Sequence, residues 1–538
     1  MIELPENLSL ARYFLFDRLD EGLGGKIALR WGNASYTYDE VARRTRKMAG
    51  LLARAGVRRG ERVLIVLPDA PPFAWTFFGV LARGAVVAMG NPQAPDKSLE
   101  YLVSYTRATA IVTTPEVAEK LRPLVEKPGS EVQAMFVAPD VPTGGDFEAK
   151  TSVKGERIAD LASSLASADE APITDVNRDE PAIWLFTSGS TGEPKANVHS
   201  GRDFAFNTEV YAKRTVGYRR DDVTVSVPRL FFGYATGTNL MFPFAVGATA
   251  GLFSERPTPE SIANAIAMYR ATVVTNVPTM LGKLLEHDAE LASAGKPGLD
   301  FSSVRFSLSA GEALPEPLLR RWLERFRSDV YDGIGSAEMF HIYASNRPND
   351  VKPGSLGKVV EGYELRILPE DAEGPGAAPC APGEIGVLWI KGDSVSHGYW
   401  LDRDKSWKTF HGHWCRSGDL FRIDADGYLY FAGRADDLLK VGGQWVAPLE
   451  VEECMLGHAA VAACAVIGVE DEGLVKTKAF VVLRAGHAPS EALASELQEH
   501  VRTRLTKYKY PRLVEFLDDL PKNDRGKVDK KALRARGA

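Results

Sequence analysis

Between Trp184 and Lys195 the chain reads Trp-Leu-Phe-Thr-Ser-Gly-Ser-Thr-Gly-Glu-Pro-Lys. Four hydroxyls (Thr187, Ser188, Ser190, Thr191), two glycines (Gly189, Gly192) and Lys195 follow a short apolar run, residues 182–186, that reads as a strand. Glycines let successive N–H groups converge on one point, and hydroxyls with a lysine add donors, which is the inventory needed to wrap a polyphosphate. No Gly-Lys-Ser/Thr closes the run and no helix-initiating pattern follows at once, so it is not a Walker loop. A polar surface loop is the ordinary reading of a Ser/Gly/Thr run. The closing Gly-Glu-Pro-Lys sets this one apart.

Elements must hold that loop, and 538 residues imply more than one core, since single cores stop growing near roughly 250–300 residues. Residues 62–67, 85–89 and 110–113 read as buried strands, with a helix over 73–83, and such alternation argues for βαβ units and parallel sheets. Residues 140–180, mixed in Pro, Gly, Ser and Asp, read as a connection between subdomains. Strand-like runs recur at 223–227, 272–275 and 304–308, and a Gly/Pro/Ala-rich loop at 370–384 opens a β-rich segment ending near Phe431. Beyond it come a helix over 451–455, strands over 461–469 and 478–483, and a helix to Arg504 that Ser490 can cap. That is enough for a small α+β domain.

Composition narrows the partners. A formal net charge of −6 argues against nucleic acid or an anionic membrane surface. The four cysteines, Cys380, Cys415, Cys454 and Cys464, show no metal-type pairing, which favours a reducing compartment without a zinc site. No signal-peptide pattern opens the chain, and the longest apolar stretch, 73–82, is too short to span a bilayer. The expectation is a cytoplasmic enzyme without stable membrane association. A homodimer is left open.

Residues 187–195 resemble the signature loop of the adenylate-forming superfamily, which includes acyl- and aryl-CoA ligases, stand-alone adenylation domains and beetle luciferases. The resemblance implies that Thr187, Ser188, Gly189, Ser190, Thr191, Gly192 and Lys195 embrace the β- and γ-phosphates of ATP. Four further clusters match in the family's order. Residues 331–339 resemble the motif that stacks adenine, with Asp332, Gly333 and Ile334 against the base and Glu338 as a hard oxygen ligand for Mg²⁺. Residues 414–419 resemble the motif whose carboxylate, here Asp419, accepts two hydrogen bonds from the ribose diol. Residues 433–445 are similar to the hinge and the loop after it: Arg434 toward ribose or phosphate, Asp436 as pivot, Gly442, Gly443 and Trp445 along the pantetheine arm of coenzyme A. Residues 521–529 resemble the C-terminal motif whose lysine, here Lys527, lies between carboxylate and α-phosphate and lowers their repulsion.

The fold implied is α/β: a large N-terminal domain (1–433) of stacked sheets with helices and a β-rich subdomain, plus a small mobile α+β C-terminal lid (434–538) hinged at Asp436. The reaction implied has two steps. A carboxylate attacks the α-phosphate of Mg·ATP, releasing pyrophosphate and leaving an acyl-adenylate; the CoA thiol then displaces AMP. Lys527 is assigned to the first step and Lys440 to the second. The family usually places threonine before the metal-binding glutamate, and Ala337 stands there instead, removing one phosphate hydrogen bond.

The substrate class rests on residues 229–237, 309–313 and 340–341, which look most like the benzoate-CoA ligase branch. Phe232, Gly233, Tyr234, Ala235, Ser309, Ala310, Gly311, Phe340 and His341 are the expected lining, since aromatic side chains flanking small ones suit a flat ring in a closed slot. His341 is expected to meet a ring substituent or the carboxylate. The missing methyl at Gly233 leaves room for an ortho substituent. The partners expected are therefore a small aromatic carboxylic acid, ATP and CoA. Two other readings stand beside this one: an adenylating protein that loads an aryl group onto a carrier protein, with none expected within this chain, and a non-catalytic nucleotide-binding relative, prompted by Ala337.

Overall fold

The computed structural model describes residues 2–188, 193–441, 444–471, 474–521 and 528–537. They belong to two compact units, Met1–Leu365 with Ile390–Cys415, and Arg366–Trp389 with Arg416–Ala538. Sixteen strands of the first unit build two sheets among the described residues. They are β1 (Ile27–Trp31), β2 (Ala34–Thr37), β3 (Arg62–Val66), β4 (Val86–Met89), β5 (Ala110–Thr113), β6 (Ala134–Val137), β7 (Ile158–Asp160) and β8 (Pro181–Ser188). There follow β9 (Pro194–Ser200), β10 (Val223–Ser226), β11 (Thr249–Leu252), β12 (Val273–Asn276), β13 (Phe306–Ser309), β14 (Asp329–Gly335), β15 (Ile342–Ser345) and β16 (Lys358–Val359).

One sheet runs β7-β6-β5-β3-β4-β8-β9 and the other β16-β15-β14-β13-β12-β10-β11-β1-β2. Pairing is parallel through the middle of both and antiparallel only at the edges, at β8–β9 in the first and at β1–β2, β14–β15 and β15–β16 in the second. The inner strands carry Val, Ile, Leu and Ala on both faces because helices cover both sides. Leu64, Val66, Ile111, Met135 and Val137 anchor one core; Val225, Val274, Leu281, Trp322 and Val330 anchor the other. The helix Pro71–Ala82 is buried all round. It starts two residues before the expected 73, because Pro71 and Pro72 take N1 and N2, where a missing N–H costs nothing. Segment 140–180 holds more order than its composition suggests: β7 within it extends the first sheet, and Asp160 caps the helix Leu161–Ala166.

Along the chain there follow β17 (Glu364–Leu368), β18 (Gly386–Lys391), β19 (Phe410–His411), which belongs to the first unit, β20 (Trp414–Ile423) and β21 (Leu429–Arg434). Because β20 and β21 pair with each other, packing places residues 416–434 with the C-terminal part of the chain, and the expected boundary at 433 lies inside the second unit. Next come β22 (Leu439–Val441), β23 (Gln444–Val446), β24 (Val461–Asp471), β25 (Leu474–Leu483) and β26 (Leu513–Phe516). The helix Pro448–Leu456 extends the expected 451–455 through another proline at its start, and the Ser490 side chain caps the helix Glu491–Arg504 at the Leu493 N–H. All four cysteines are free thiols. No helix among the described residues is long and apolar enough to cross a membrane.

Candidate active site

The hydroxyl-rich run belongs to a β-hairpin. β8 and β9 pair antiparallel to their tips, with Thr187 opposite Lys195 and Ser188 opposite Pro194. Gly189, Ser190, Thr191 and Gly192 lie outside the described residues, and Ser188 is described in its backbone alone. The return arm is held at three successive residues. Tyr101 donates from its hydroxyl to the Pro194 carbonyl at 3.1 Å, the Ala196 N–H donates to the Tyr105 hydroxyl at 3.3 Å, and Lys195 is ion-paired to Asp402. Trp184 of the outgoing arm packs on Trp400, ring centroids 4.8 Å apart.

The 331–339 cluster forms the end of β14 and the turn after it. Glycine is obligatory here: a Cβ on Gly335 would lie 2.5 Å from the His341 carbonyl, and one on Gly333 would lie 2.7 Å from the Ala344 oxygen. Asp332 is buried and Ile334 half-buried. Glu338 follows in a single turn, Ala337–Met339, and its Oε1 accepts a hydrogen bond from Tyr399 Oη at 2.7 Å. Burial, then the Glu338 charge, holds the Tyr399 hydroxyl far above its ordinary value. The backbone of the same turn is fixed by His199, which the sequence analysis did not single out. Its Nε2 lies 2.6 Å from the Ala337 carbonyl, which can only accept, and Nδ1 lies 2.6 Å from Asp203. The available signal was the i, i+4 spacing to that aspartate.

Three neighbouring strands end in a polar row. Asn276 on β12, Ser309 on β13 and Asp332 on β14 are Cα partners across the sheet. All three are buried, and Asn276 Nδ2, Ser309 Oγ and Asp332 Oδ1 have no well-formed hydrogen bond among the described residues. Ser309 and the Gly333 N–H lie close enough to lower the Asp332 carboxyl a little, but burial wins and pushes it up to about 8. Such a row at the carboxyl ends of parallel strands is where open α/β sheets take ligands. Asn276 carried no motif and was not anticipated.

Several of the residues expected to line the ring slot pack around His341. Phe340 has φ 67° and ψ −58°, and the His341 N–H donates to the Met339 carbonyl at 2.9 Å. This is a γ-turn of the uncommon positive-φ hand, a conformation that costs about 1–3 kcal/mol and persists where its surroundings over-determine it. It sets the His341 ring against Gly237, where a Cβ would meet ring atoms at 2.6 and 2.7 Å. The ring contacts Tyr234 at 5.3 Å and Phe242 at 4.8 Å between centroids. His341 Nε2 lies 3.1 Å from the Tyr234 carbonyl, so that nitrogen carries the proton and Nδ1 is left as a bare acceptor. Burial lowers this imidazole to about 3, so it is neutral. Nδ1 and the Tyr234 hydroxyl are both buried without a partner among the described residues, and burial raises that hydroxyl well above its ordinary value.

Gly233 lies in the same place: a Cβ there would be 3.3 Å from both Leu185 methyls and 3.7 Å from the Phe340 oxygen. Ala235, Ser309, Ala310 and Phe340 are buried as expected. Phe232 departs from the closed-slot expectation, being 54% exposed and in tilted ring contact with Phe231, and Gly311 is an exposed left-handed turn residue. Another unanticipated group, Asp69, anchors the segment leading into the slot. It accepts from the Leu230 N–H at 2.9 Å and faces Arg229 at 3.7 Å, and burial outweighs that arginine to push its carboxyl up to about 6.

In the second unit, Asp419 and Arg434 are brought together as opposed residues of β20 and β21, 3.3 Å apart. β22 and β23 form a hairpin with Lys440 opposite Trp445. Asp436, Lys440 and Trp445 are described in their backbone alone, while Gly442, Gly443 and Lys527 lie outside the described residues.

This arrangement has relatives. A family profile described as AMP-binding enzyme matches residues 16–400, and one described as AMP-binding enzyme C-terminal domain matches 450–527. The chain is an AMP-binding enzyme family member. It is similar to the benzoate–CoA ligase of Thauera aromatica, 39% identical over 99% of this chain and 97% of that protein. Among solved structures it is similar to a benzoate CoA ligase from Burkholderia xenovorans LB400, with 35% identity, TM-score 0.81, and 98% and 100% of the two chains covered. An anthranilate CoA ligase in complex with anthranoyl-AMP gives 32% identity and TM-score 0.84, covering 99% and 98%. The AMP-binding enzyme profile therefore spans the hairpin, the polar row and the cluster around His341 together.

Proposed function

We propose that this protein is an ATP-dependent, AMP-forming aryl-CoA ligase. It activates a benzoate-type acid as the acyl-adenylate and passes the acyl group to CoA. One observation carries the reading: a buried aromatic cluster around His341 with unpartnered polar atoms lies in a chain whose full-length relatives are named benzoate– and anthranilate–CoA ligases. The hairpin residues 187–195 would bind the phosphates, Asp332, Gly333 and Ile334 the adenine, and Asp419 with Arg434 the ribose. Lys527 would neutralise charge during adenylation. Residues 434–538 would act as a lid pivoting at Asp436, with Lys440 and the Gly442–Gly443–Trp445 stretch serving thioester formation.

Mg²⁺ suits the donor set at Glu338. That carboxylate is half-buried with one oxygen hydrogen-bonded, and no group of three His, Cys, Asp or Glu side chains among the described residues converges as a self-contained metal cage. A single protein carboxylate with nucleotide phosphates and water completing the shell is how Mg²⁺ is usually held at such sites. When bound, the ion would neutralise phosphate charge.

The ring substituent follows from the histidine tautomer. A carboxylate has no proton to give, so His341 Nδ1 cannot pair with it. An ortho amine or hydroxyl can donate to it, and Gly233 presents no side chain toward Leu185, whose methyls a Cβ there would crowd at 3.3 Å. Anthranilate and salicylate are thus proposed substrates alongside benzoate. The test is AMP release and product mass with each acid, offered CoA or a carrier protein, for wild type and Gly233→Ala. Acyl-carrier product without acyl-CoA would overturn the ligase reading. Equal loss for benzoate and anthranilate in Gly233→Ala would overturn the ortho assignment.

A further inference from the structure

Segment 396–402 runs beside the return arm of the hairpin like an added strand. The Val198 N–H donates to the Gly398 carbonyl at 3.0 Å, the His397 N–H to Val198 at 2.8 Å and the Trp400 N–H to Ala196 at 2.9 Å, with Asn197 bridging Tyr399 antiparallel. At its start, the Ser396 N–H donates to the Glu338 carbonyl at 2.9 Å. Successive side chains of extended backbone point to opposite sides, and here they go to different tasks. Tyr399 reaches Glu338. Trp400 packs on Trp184, donates from Nε1 to the Tyr105 carbonyl at 3.1 Å and accepts from the Tyr105 hydroxyl at 2.7 Å. Leu401, with φ 54°, then turns the chain through the left-handed region that leucine rarely visits. That turn brings Asp402 both to the start of the helix Arg403–Thr409 and to Lys195.

We propose that segment 396–402 is a positioning strap: Tyr399 fixes the Glu338 carboxylate and Asp402 fixes the Lys195 ammonium, so that one stretch of backbone sets the spacing between the two charged groups offered to ATP. This rests on the ligase reading, in which Glu338 and Lys195 serve Mg·ATP. Both residues act through another group and are positioning residues. A purely structural role for Asp402 makes a different forecast, because asparagine caps a helix as well as aspartate does. Only the charge is lost in Asp402→Asn.

The experiment is calorimetric titration of the full-length protein with Mg·ATP, and with ATP in excess EDTA, for wild type, Tyr399→Phe, Asp402→Asn, Glu338→Gln and Tyr399→Phe/Glu338→Gln. Thermal melting confirms that each variant is folded. Tyr399→Phe should raise the dissociation constant for Mg·ATP about tenfold and leave that for metal-free ATP unchanged, as expected for a lost hydrogen bond to a charged group. It should have no further effect in the Glu338→Gln background. Asp402→Asn, whose ion pair is partly exposed, should weaken both forms by about three- to tenfold. Unchanged or tighter binding in a folded Asp402→Asn refutes the Lys195 arm of the proposal. Equal losses with and without metal in Tyr399→Phe, or a full effect of that change on top of Glu338→Gln, refute the Glu338 arm. If the wild type itself fails to bind Mg·ATP, the ligase reading falls and the strap with it; if it binds and both folded single variants match it, the strap alone falls.

Discussion

Replacing His341 by phenylalanine keeps the ring volume and removes both nitrogens. The structural loss is small. The Tyr234 carbonyl that accepts from Nε2 also accepts from Thr238 Oγ1 at 3.0 Å and from the Gly237 N–H, so no acceptor is orphaned and the variant should lose about 1 kcal/mol of stability. The functional loss should be selective. An ortho amine buried opposite Nδ1 has a hydrogen-bond acceptor in the wild type and none in the variant, a penalty of about 1–3 kcal/mol, or roughly tenfold to a hundredfold in kcat/KM for anthranilate. Benzoate makes no such bond and should change by less than about threefold. The assay is acid-dependent ATP–pyrophosphate exchange with the two acids for both proteins. A second readout is pH. Because burial holds His341 near 3, the ring stays neutral from pH 5 to 9 and the anthranilate-to-benzoate ratio should be flat over that range. Stability carries the opposite signature. Between about 6.5 and 3 the unfolded ring takes up a proton that the folded ring refuses, so this group's stabilising contribution is lost as pH falls through that window; His341→Phe removes that part of the acid limb. An unchanged ratio in His341→Phe, or a wild-type ratio that falls steeply below pH 6.5, refutes the tautomer argument.

The other predictions concern the nucleotide side. Ala337→Thr restores a hydroxyl beside Glu338 and should maintain or raise the pyrophosphate-exchange rate with normal folding; a severe loss would show that this turn is built for a different phosphate geometry. Lys527→Ala should abolish acyl-adenylate formation yet let purified acyl-adenylate react with CoA, whereas Lys440→Ala should slow the second step more than the first, measured by single-turnover kinetics. Asp332, raised to about 8 by burial, keeps a proton in the folded state that the unfolded carboxyl loses near its ordinary value. Its contribution is full below about pH 4 and lost as pH rises through 8, so Asp332→Asn should flatten the decline of thermal stability between pH 5 and 9.

Much of this was legible because the chemistry follows hydrophobic periodicity. The apolar runs at 62–67, 85–89 and 110–113 announced parallel strands and became β3, β4 and β5. The loop at 187–195 announced its arms through an apolar lead-in, and pairing of Thr187 with Lys195 makes it a hairpin, unlike a Walker loop's passage into a helix. What stayed hidden was set by contacts far apart in sequence. His199 and Ala337 are 138 residues apart, and Tyr399 and Glu338 are 61 apart. Neither His199 nor Tyr399 sits in a motif that local reading would single out. Phe232 misled for the reverse reason: an aromatic beside glycine suggests a wall, yet which side of the turn it takes is decided by the helix start at Gly233, and it faces outward.

The strain at Phe340 and the orphaned row at β12–β14 belong to one design. Three buried polar atoms without partners each cost about 1–3 kcal/mol, and a positive-φ phenylalanine costs a similar amount. A chain selected for stability alone would satisfy the first with neighbouring side chains and relax the second with glycine. Glycine is instead used where backbone must touch backbone, at Gly333 and Gly335, while a bulky residue keeps the strained position and so fixes the direction of His341. On the ligase reading, the unsatisfied atoms of this row and of His341 would face a ligand that supplies their missing partners. Their arrangement would discriminate by protonation, through an acceptor at His341 Nδ1 and, while it holds its proton, a donor at Asp332. A site of this kind reads donors and acceptors on its ligand more stringently than it reads size, because one missing methylene in an apolar slot changes binding by only about 1–3 kcal/mol.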